Sequence, residues 1–218
     1  MAINLNKITL EKQGDSHRID LSKGGCNASK EIVINLNWSQ PQQSGWSKFW
    51  SGDKSIDLDL GCFFELNDGT KSVIDGLQFA HGNGGPRNRL TRQGCYTAKP
   101  WIWHSGDDRS GAASEGENIL LNPQGIGDLK RMVIYCFIYE GAAKWSETNA
   151  VVTIKVPGNP DVVVEMGQQY SNQTFCAIAD ILFTGESMTV KKSVTFHNGH
   201  DDCDKKYHWG MQWQAGSK

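Results

Sequence analysis

The 218-residue sequence lacks several features that define common classes of protein. It has no apolar run approaching the ~20 residues that a membrane helix needs, and its N-terminus carries neither the basic nor the apolar region of a secretory signal. A charge excess is also missing, since 22 Lys and Arg face 24 Asp and Glu, a net charge of -2. This balance gives no overall attraction to nucleic acid or anionic lipid. We therefore expect a cytoplasmic globular protein with no transmembrane segment and no nucleic-acid partner.

Closely spaced cysteine pairs of the C-x-x-C type are absent as well. The six cysteines are scattered along the chain, at positions 26, 62, 95, 136, 176 and 203. Cys136 and Cys176 lie inside apolar runs. Without an export signal, such cysteines are expected to be reduced thiols in the core and not disulfides.

Proline is scarce, with 6 residues, and helical periodicity is hard to find. Glycine is abundant, with 24 residues, and turn clusters separate short runs of β-branched and aromatic side chains. This pattern is typical of an all-β sandwich or barrel with few or no helices. Because no change in composition marks a domain boundary, we predict a single domain over residues 1–218. Residues 1–22 are predicted to be an N-terminal arm that pairs into a sheet.

The clearest predicted strand covers residues 56–66, where every second side chain is apolar. Asp57 and Asp59 fall on the opposite face of this strand. A preceding alternating run at residues 31–38 and a following run at residues 73–80 are predicted to complete a three-stranded meander.

A second kind of strand is indicated at residues 132–139, which are apolar on both faces. This pattern predicts a central strand that is covered on both sides. Further strands are predicted at residues 151–156, 173–183, 188–197 and 207–213.

Two acidic segments stand out because their carboxylates alternate with glycine and hydroxyl side chains instead of lysine. Asp57 and Asp59 would share one strand face, and residues 105–118 form a loop long enough to wrap an ion. Such oxygen-rich segments suit Ca²⁺, which takes about 6 to 8 oxygen ligands. The residue order of an EF-hand loop is absent. Composition is equally compatible with a solvated edge strand and an acidic turn, so both interpretations stay open.

The C-terminal region offers a different metal-binding hypothesis. His197, His200, Cys203 and His208 lie within about a dozen residues and have the side-chain types of a tetrahedral zinc site. Their spacing is not that of an established zinc finger, and the acids between them are also typical of a solvated hairpin turn.

Standard catalytic motifs are missing, including the nucleophile elbow, the P-loop and the H-E-x-x-H zinc motif. His104, beside the acidic loop, is the best candidate for a general base, although a structural hydrogen bond is the alternative. The aromatic residues Trp46, Phe49 and Trp50 form either an exposed recognition patch or a small satellite core. The sequence therefore does not indicate an enzyme.

Several of these segments resemble one family. Residues 56–59 (Ile-Asp-Leu-Asp) and residues 104–111 (His-Ser-Gly-Asp-Asp-Arg-Ser-Gly) are similar to the two signatures of the tellurium-resistance (TerD-domain) stress proteins. Residues 10–12 and 19–23 resemble the opening segment of that family, and residues 34–38 resemble one of its tryptophan-containing strands. The ending, from residue 208 onward, is more similar to the TerA branch than to TerD itself.

This resemblance implies a TerD-like, calcium-binding two-sheet β-sandwich. The implied Ca²⁺ ligands, matched position by position, are Asp57, Asp59, Asp107, Asp108, Ser110, Glu115 and Glu117. The family has a nearly continuous run of acids where residues 113–118 are Ala-Ser-Glu-Gly-Glu-Asn, and this departure favours one ion over two.

The resemblance also implies a non-catalytic interaction module in a tellurite-resistance or stress-response system, with other proteins of that system as partners. Two alternatives stay open. One is a zinc-stabilised adaptor that uses the C-terminal His and Cys residues, and the other is a metal-dependent enzyme that uses His104 and the acidic loop.

Overall fold

The computed structural model describes residues 7–22, 30–39, 56–76, 85–106, 116–140, 145–166 and 169–214. The strands of these segments are β1 (Lys7–Leu10), β2 (Ser16–Asp20), β3 (Ile32–Asn37), β4 (Asp57–Leu66), β5 (Lys71–Asp75), β6 (Gly94–Cys95), β7 (Ile102–His104), β8 (Glu117–Leu121), β9 (Leu129–Glu140), β10 (Val151–Lys155), β11 (Asp161–Glu165), β12 (Phe175–Thr184) and β13 (Ser187–His197). The helices are α1 (Trp145–Thr148), α2 (His200–Tyr207) and a 3-10 helix at Pro123–Asp128. None of these helices is long and apolar enough to cross a membrane.

The strands form two sheets that pack face to face. The seven-stranded sheet has the order β1-β11-β10-β3-β8-β7-β6, and the six-stranded sheet has the order β2-β13-β12-β9-β4-β5. Neighbouring strands pair antiparallel, except that β1 and β11 pair parallel. The predicted all-β sandwich with few helices is confirmed.

The main core lies between the two sheets. Leu58, Leu60 and Cys62 of β4 are all buried in this core, which confirms the apolar face predicted for this strand. The opposite sheet contributes Ile34 of β3 and Ile119 of β8. Alternation of side chains along each strand thus builds the core from both sides.

A second, smaller apolar cluster covers the other face of the six-stranded sheet, and we call it the outer core. It joins Phe63 of β4 and Tyr135 of β9 to Cys203 and Tyr207 of α2 and to Trp209 beyond that helix. β9 lies between β4 and β12 and has buried side chains on both faces. The prediction of a central, doubly covered strand is confirmed.

Two predictions about β4 and its neighbours are wrong. β4 is not a solvated edge strand, because it pairs with both β5 and β9, and Asp57 and Asp59 are 6% and 0% exposed. The three-stranded meander does not form either, because β3 belongs to the seven-stranded sheet. An alternating pattern identifies the two faces of a strand, but it specifies neither the pairing partner nor what covers the second face.

The strand predicted at residues 207–213 is also wrong. α2 ends at Tyr207, and the following backbone is held by the carboxylate of Asp204. This group accepts hydrogen bonds from the Gly210 and Met211 N–H groups and from the indole of Trp213, at 2.7 to 2.9 Å. These donors are satisfied by a side chain and not by a neighbouring strand, so the segment lies over the outer core without joining a sheet.

The N-terminal residues tie the two sheets together. β1 pairs with β11 in the seven-stranded sheet, whereas β2 pairs with β13 in the six-stranded sheet. Lys192 of β13 is 7% exposed, and its ammonium group donates to the carbonyl oxygens of Leu10, Glu11 and Glu165 at 3.3, 3.0 and 2.7 Å. The buried lysine therefore joins β13 to the ends of β1 and β11.

We expect Lys192→Met to lower the free energy of unfolding by about 1 to 3 kcal/mol, because three carbonyl groups lose a charged donor in a region with little access to water. Urea unfolding measures this loss. The matched control is Lys191→Met, since Lys191 is the exposed neighbour on the same strand and should change stability by less than about 0.5 kcal/mol. Equal effects of the two substitutions would contradict a special role for Lys192.

Candidate functional site

The residues proposed as calcium ligands are only partly within the described segments. Asp57 and Asp59 lie on β4, and Glu117 is the first residue of β8 in the opposite sheet. All three side chains are buried. The other expected ligands, Asp107, Asp108, Ser110 and Glu115, lie outside the described residues, as do Trp46, Phe49 and Trp50.

A polar contact between the two sheets centres on the backbone of Leu60. The pairing of β4 with β5 ends at Gly61 and Asp75, one residue short of Leu60. The Leu60 N–H donates to Glu117 Oε2 at 2.7 Å, and the Leu60 carbonyl lies 3.0 Å from His104 Nε2. Side chains from the opposite sheet thus form hydrogen bonds with the Leu60 N–H and carbonyl groups, which lie beyond the end of β5.

His104 is wholly buried, and both of its ring nitrogens take part in hydrogen bonds. The Gly106 N–H donates to Nδ1 at 3.1 Å, which makes Nδ1 an acceptor. Nε2 then bears the proton and donates to the Leu60 carbonyl. The imidazole links β7, β4 and the beginning of the acidic loop, and Glu117 Oε2 lies 3.8 Å from Nε2.

The two ends of the acidic loop are held against each other. The Ser105 N–H donates to the Asn118 carbonyl at 2.8 Å, and the Asn118 N–H donates to Ser105 Oγ at 3.2 Å. Gly116 has φ +58°, and a Cβ atom there would lie 2.1 Å from the carbonyl oxygen of Leu36. Only glycine fits this position, so Gly116 sets the path by which the chain enters β8 at Glu117.

Two of the buried carboxylates lie near one thiol. Cys136 of β9 has a raised pKa, first because of burial and then because of the negative charges of Glu117 and Asp59. Negative charge from both sheets is therefore concentrated at this end of the sandwich. Within the segments that the structure describes, no three His, Cys, Asp or Glu side chains form a group that could hold a metal ion. An ion site here would need residues of the loop at 107–115.

The four residues of the zinc hypothesis all lie within described segments, and the structure does not bring them together as a metal site. His197 Nε2 lies 2.8 Å from Thr195 Oγ1, and Cys203 is buried in the outer core. His208 is exposed and follows the last residue of α2, where its backbone adopts the left-handed conformation of a helix C-cap. The segment predicted as a possible hairpin turn is the helix α2, on which His200 contacts Asp75.

A buried polar network was not apparent from the sequence. The carboxylate of Asp75 is wholly buried, accepts a hydrogen bond from the Tyr135 hydroxyl and lies 2.7 Å from His200 Nε2. Gly61 makes room for it, because a Cβ atom there would lie 2.4 Å from the Tyr135 ring. These residues are 60 and 125 positions apart in the chain, and no local spacing signals their contact.

Comparison with known proteins shows which proteins the chain resembles. No family model matches the sequence. The tellurium resistance protein TerA from Alcaligenes sp. is 34% identical over 218 residues, which cover 99% of this chain and 60% of that protein. The chain is therefore similar to a tellurium-resistance protein over nearly its whole length. It spans about 60% of the length of this curated relative.

One solved structure agrees with the sandwich architecture. A crystal structure of SAV2460, a protein of unknown function, aligns with a TM-score of 0.55 over 84% of this chain and 98% of its own. Its 13% identity means that the likeness concerns the fold alone. A homologue of the telluride resistance protein TerD from Streptomyces coelicolor A3(2) aligns with a TM-score of 0.49 at 13% identity, over 80% of this chain and 94% of its own.

The protonation and exposure of the cysteines decide their reactivity, because thiolates are strong nucleophiles. The cysteines within the described segments are free and buried, at positions 62, 95, 136, 176 and 203. Burial raises the pKa of the Cys62, Cys136 and Cys203 thiols. These thiols are therefore protonated and shielded at neutral pH.

We expect an aromatic disulfide reagent to label no more than one of the six thiols rapidly in the native protein and all six in guanidinium chloride. The released chromophore gives the count. The Cys26→Ser variant tests the cysteine that lies outside the described residues, and its native form should show no rapid labelling. Rapid labelling of two or more native thiols would contradict the burial of these groups.

Stability should decrease as the pH falls from about 7.5 to 5.5, and His197 should account for part of this change. Burial lowers the pKa of His197 below its ordinary value of 6.5, with an opposing contribution from Asp202. The unfolded chain then binds a proton more readily than the folded chain, so acid favours unfolding, by at most about 1.4 kcal/mol per pH unit for one group.

Urea unfolding at a series of pH values tests this prediction. His197→Gln should reduce the pH dependence, whereas the control His208→Gln, at an exposed position, should leave it unchanged. An identical slope in His197→Gln and the wild-type protein would show that His197 does not contribute.

Proposed function

We propose that this protein is a calcium-binding, non-catalytic interaction module of a tellurite-resistance or stress-response system. The similarity to TerA supports the biological setting. The observation that supports ion binding is the burial of Asp57 and Asp59 on β4 and of Glu117 on β8, which bonds to the backbone of Leu60 next to Asp59. Burying negative charge is costly unless a cation or hydrogen-bond donors compensate it.

The acidic loop would supply the remaining ligands. The residues that flank it are held together by the Ser105–Asn118 hydrogen bonds, and Asn118 is the neighbour of Glu117 in the chain. Asp57 and Asp59, with Asp107, Asp108, Ser110 and Glu115, would hold Ca²⁺ through oxygen atoms, as hard cations require. When bound, the ion would neutralise carboxylate charge at this end of the sandwich. Glu117 also accepts the Leu60 N–H, so its carboxylate positions β8 against β4.

A binding role fits the surroundings of His104 better than general-base catalysis. The ring is wholly buried, Nδ1 accepts a backbone N–H, and Nε2 donates to a carbonyl group. A general base needs a free lone pair within hydrogen-bond reach of a substrate. Partners of the module would be other proteins of the same resistance system.

Thermal melting of the metal-stripped protein, titrated separately with Ca²⁺, Mg²⁺ and Zn²⁺, tests the ion-binding proposal. A ligand that binds only the folded form stabilises it by about 2.7 kcal/mol at a concentration of 100 times Kd, or roughly 5 to 10 °C for a chain of this size. We expect this rise with Ca²⁺ and its loss in Asp59→Asn and Asp107→Asn.

The matched control is Asp68→Asn, which removes an exposed carboxylate from the β4–β5 turn and should keep the full Ca²⁺ response. Because Asp59→Asn alters a buried position, isothermal titration calorimetry on the folded variant separates lost binding from lost stability. A Ca²⁺ response that survives in Asp107→Asn would place the ion elsewhere. A response to Zn²⁺ that Cys203→Ser removes would favour the zinc-stabilised adaptor instead.

A further inference from the structure

One side of the sandwich has an open groove next to an edge strand. β5 is the last strand of the six-stranded sheet and pairs only with β4 among the described residues. A groove of about 420 Å³ runs along β5 and is closed on its far side by residues 90–100, which include β6, the edge of the other sheet. The groove therefore lies where the two sheets end side by side.

The outer edge of β5 offers backbone groups for hydrogen bonding. The Leu66 N–H donates to the Thr70 carbonyl at 2.8 Å, and bonded and non-bonded pairs alternate along an antiparallel ladder. Ser72 and Ile74 therefore bond to β4, whereas the N–H and C=O groups of Lys71 and Val73 point away from it. No backbone hydrogen bond within the described segments uses these outward groups.

The groove itself is largely apolar. Its apolar wall residues are Phe64, Leu66, Val73, Ile74, Leu90 and Pro100. Leu90 is 67% exposed, the second most exposed of the large apolar side chains that remain at the described surface. A free strand edge beside an apolar groove is a surface to which an extended segment of another chain can add.

The charges around the groove are mainly positive. Asp68 and Lys99, both in its wall, form an ion pair with each other at 2.7 Å. Arg92 is exposed and has no ion-pair partner among the described residues. Lys71, at the start of the edge strand, is exposed, and its ammonium group lies 3.4 Å from the Trp209 carbonyl oxygen. Apart from the Asp68–Lys99 pair and the buried Asp75, which contacts Tyr135 and His200, the charges of the groove and of β5 are cationic.

We propose that this groove binds an extended segment of a partner protein in which apolar residues alternate with carboxylates. The segment would add to the six-stranded sheet beside β5 through the outward groups of Lys71 and Val73. One set of its side chains would contact Leu66, Ile74 and Leu90, and its carboxylates would pair with Arg92 and Lys71. This surface supplies a partner chemistry for the proposed interaction module, but it does not use the ion site.

The probe is a fluorescein-labelled synthetic peptide of about eight residues in which Val alternates with Asp and Glu, matching the reach of a five-residue strand plus its flanks. Fluorescence anisotropy in the presence of EDTA measures binding without any contribution from calcium. We expect saturable binding, and no binding of a peptide in which Lys replaces Asp and Glu.

Two variants locate the site. Leu90→Asp should weaken binding at least about tenfold, because it places a carboxylate against the acidic peptide. The matched control is Leu182→Asp, at another exposed leucine on β12 that does not line the groove, and it should bind the peptide normally. Both substitutions are at exposed positions, so the folded protein can be tested.

Amide hydrogen exchange gives an independent readout of strand addition. The peptide should slow exchange at Lys71 and Val73, with little change at Ser72 and Ile74, whose N–H groups already bond to β4. Absent binding, binding unaffected by Leu90→Asp, or unchanged exchange at Val73 would each overturn the proposal. A concentration-dependent dimer that Leu90→Asp dissociates, seen by sedimentation without peptide, would assign the groove to a second copy of this chain and overturn it as well.

Discussion

The central constraint on this structure is that β9 is apolar on both faces, so other parts of the protein must cover each face and exclude water from it. The seven-stranded sheet covers one face and forms the main core with it. α2 and the segment up to Trp213 cover the other face, and Asp204 holds that segment in place. The C-terminal residues are therefore part of the packing of the sandwich, which explains why a polar-looking sequence there forms a helix with buried Cys203 and Tyr207.

The short length of β5 affects both the candidate ion site and the groove beside Leu90. β4 has ten residues and β5 has five, so the backbone of Leu60 extends beyond the ladder. Glu117 and His104 reach across from the other sheet to bond with it, and this contact brings buried carboxylates to the acidic loop. The outer side of the same strand has no neighbour in the described sheet, which leaves the groove beside Leu90 open.

The candidate site was predictable in part. Asp57, Asp59 and Glu117 could be selected from the sequence because they lie in two acidic segments without lysine, and the resemblance to tellurium-resistance proteins gave them a role. Their burial could not be predicted, nor could the contacts of His104 and Asp75. The His104–Leu60 and Asp75–His200 contacts join residues that are 44 and 125 positions apart in the chain, at separations where local pattern has no influence.

The sequence by itself determined the class of fold and the faces of its strands. The alternation in β4 and the continuous apolar run in β9 follow from the two-residue period of a strand, which is a local property. Only the tertiary structure decided that β3 and β4 lie in different sheets and that the face of Asp57 and Asp59 is buried. It also decided that the C-terminal His and Cys residues have separate partners, with His200 at Asp75 and Cys203 in the outer core. Strand partners and coverage depend on the sum of distant contacts, and a local pattern cannot encode that sum.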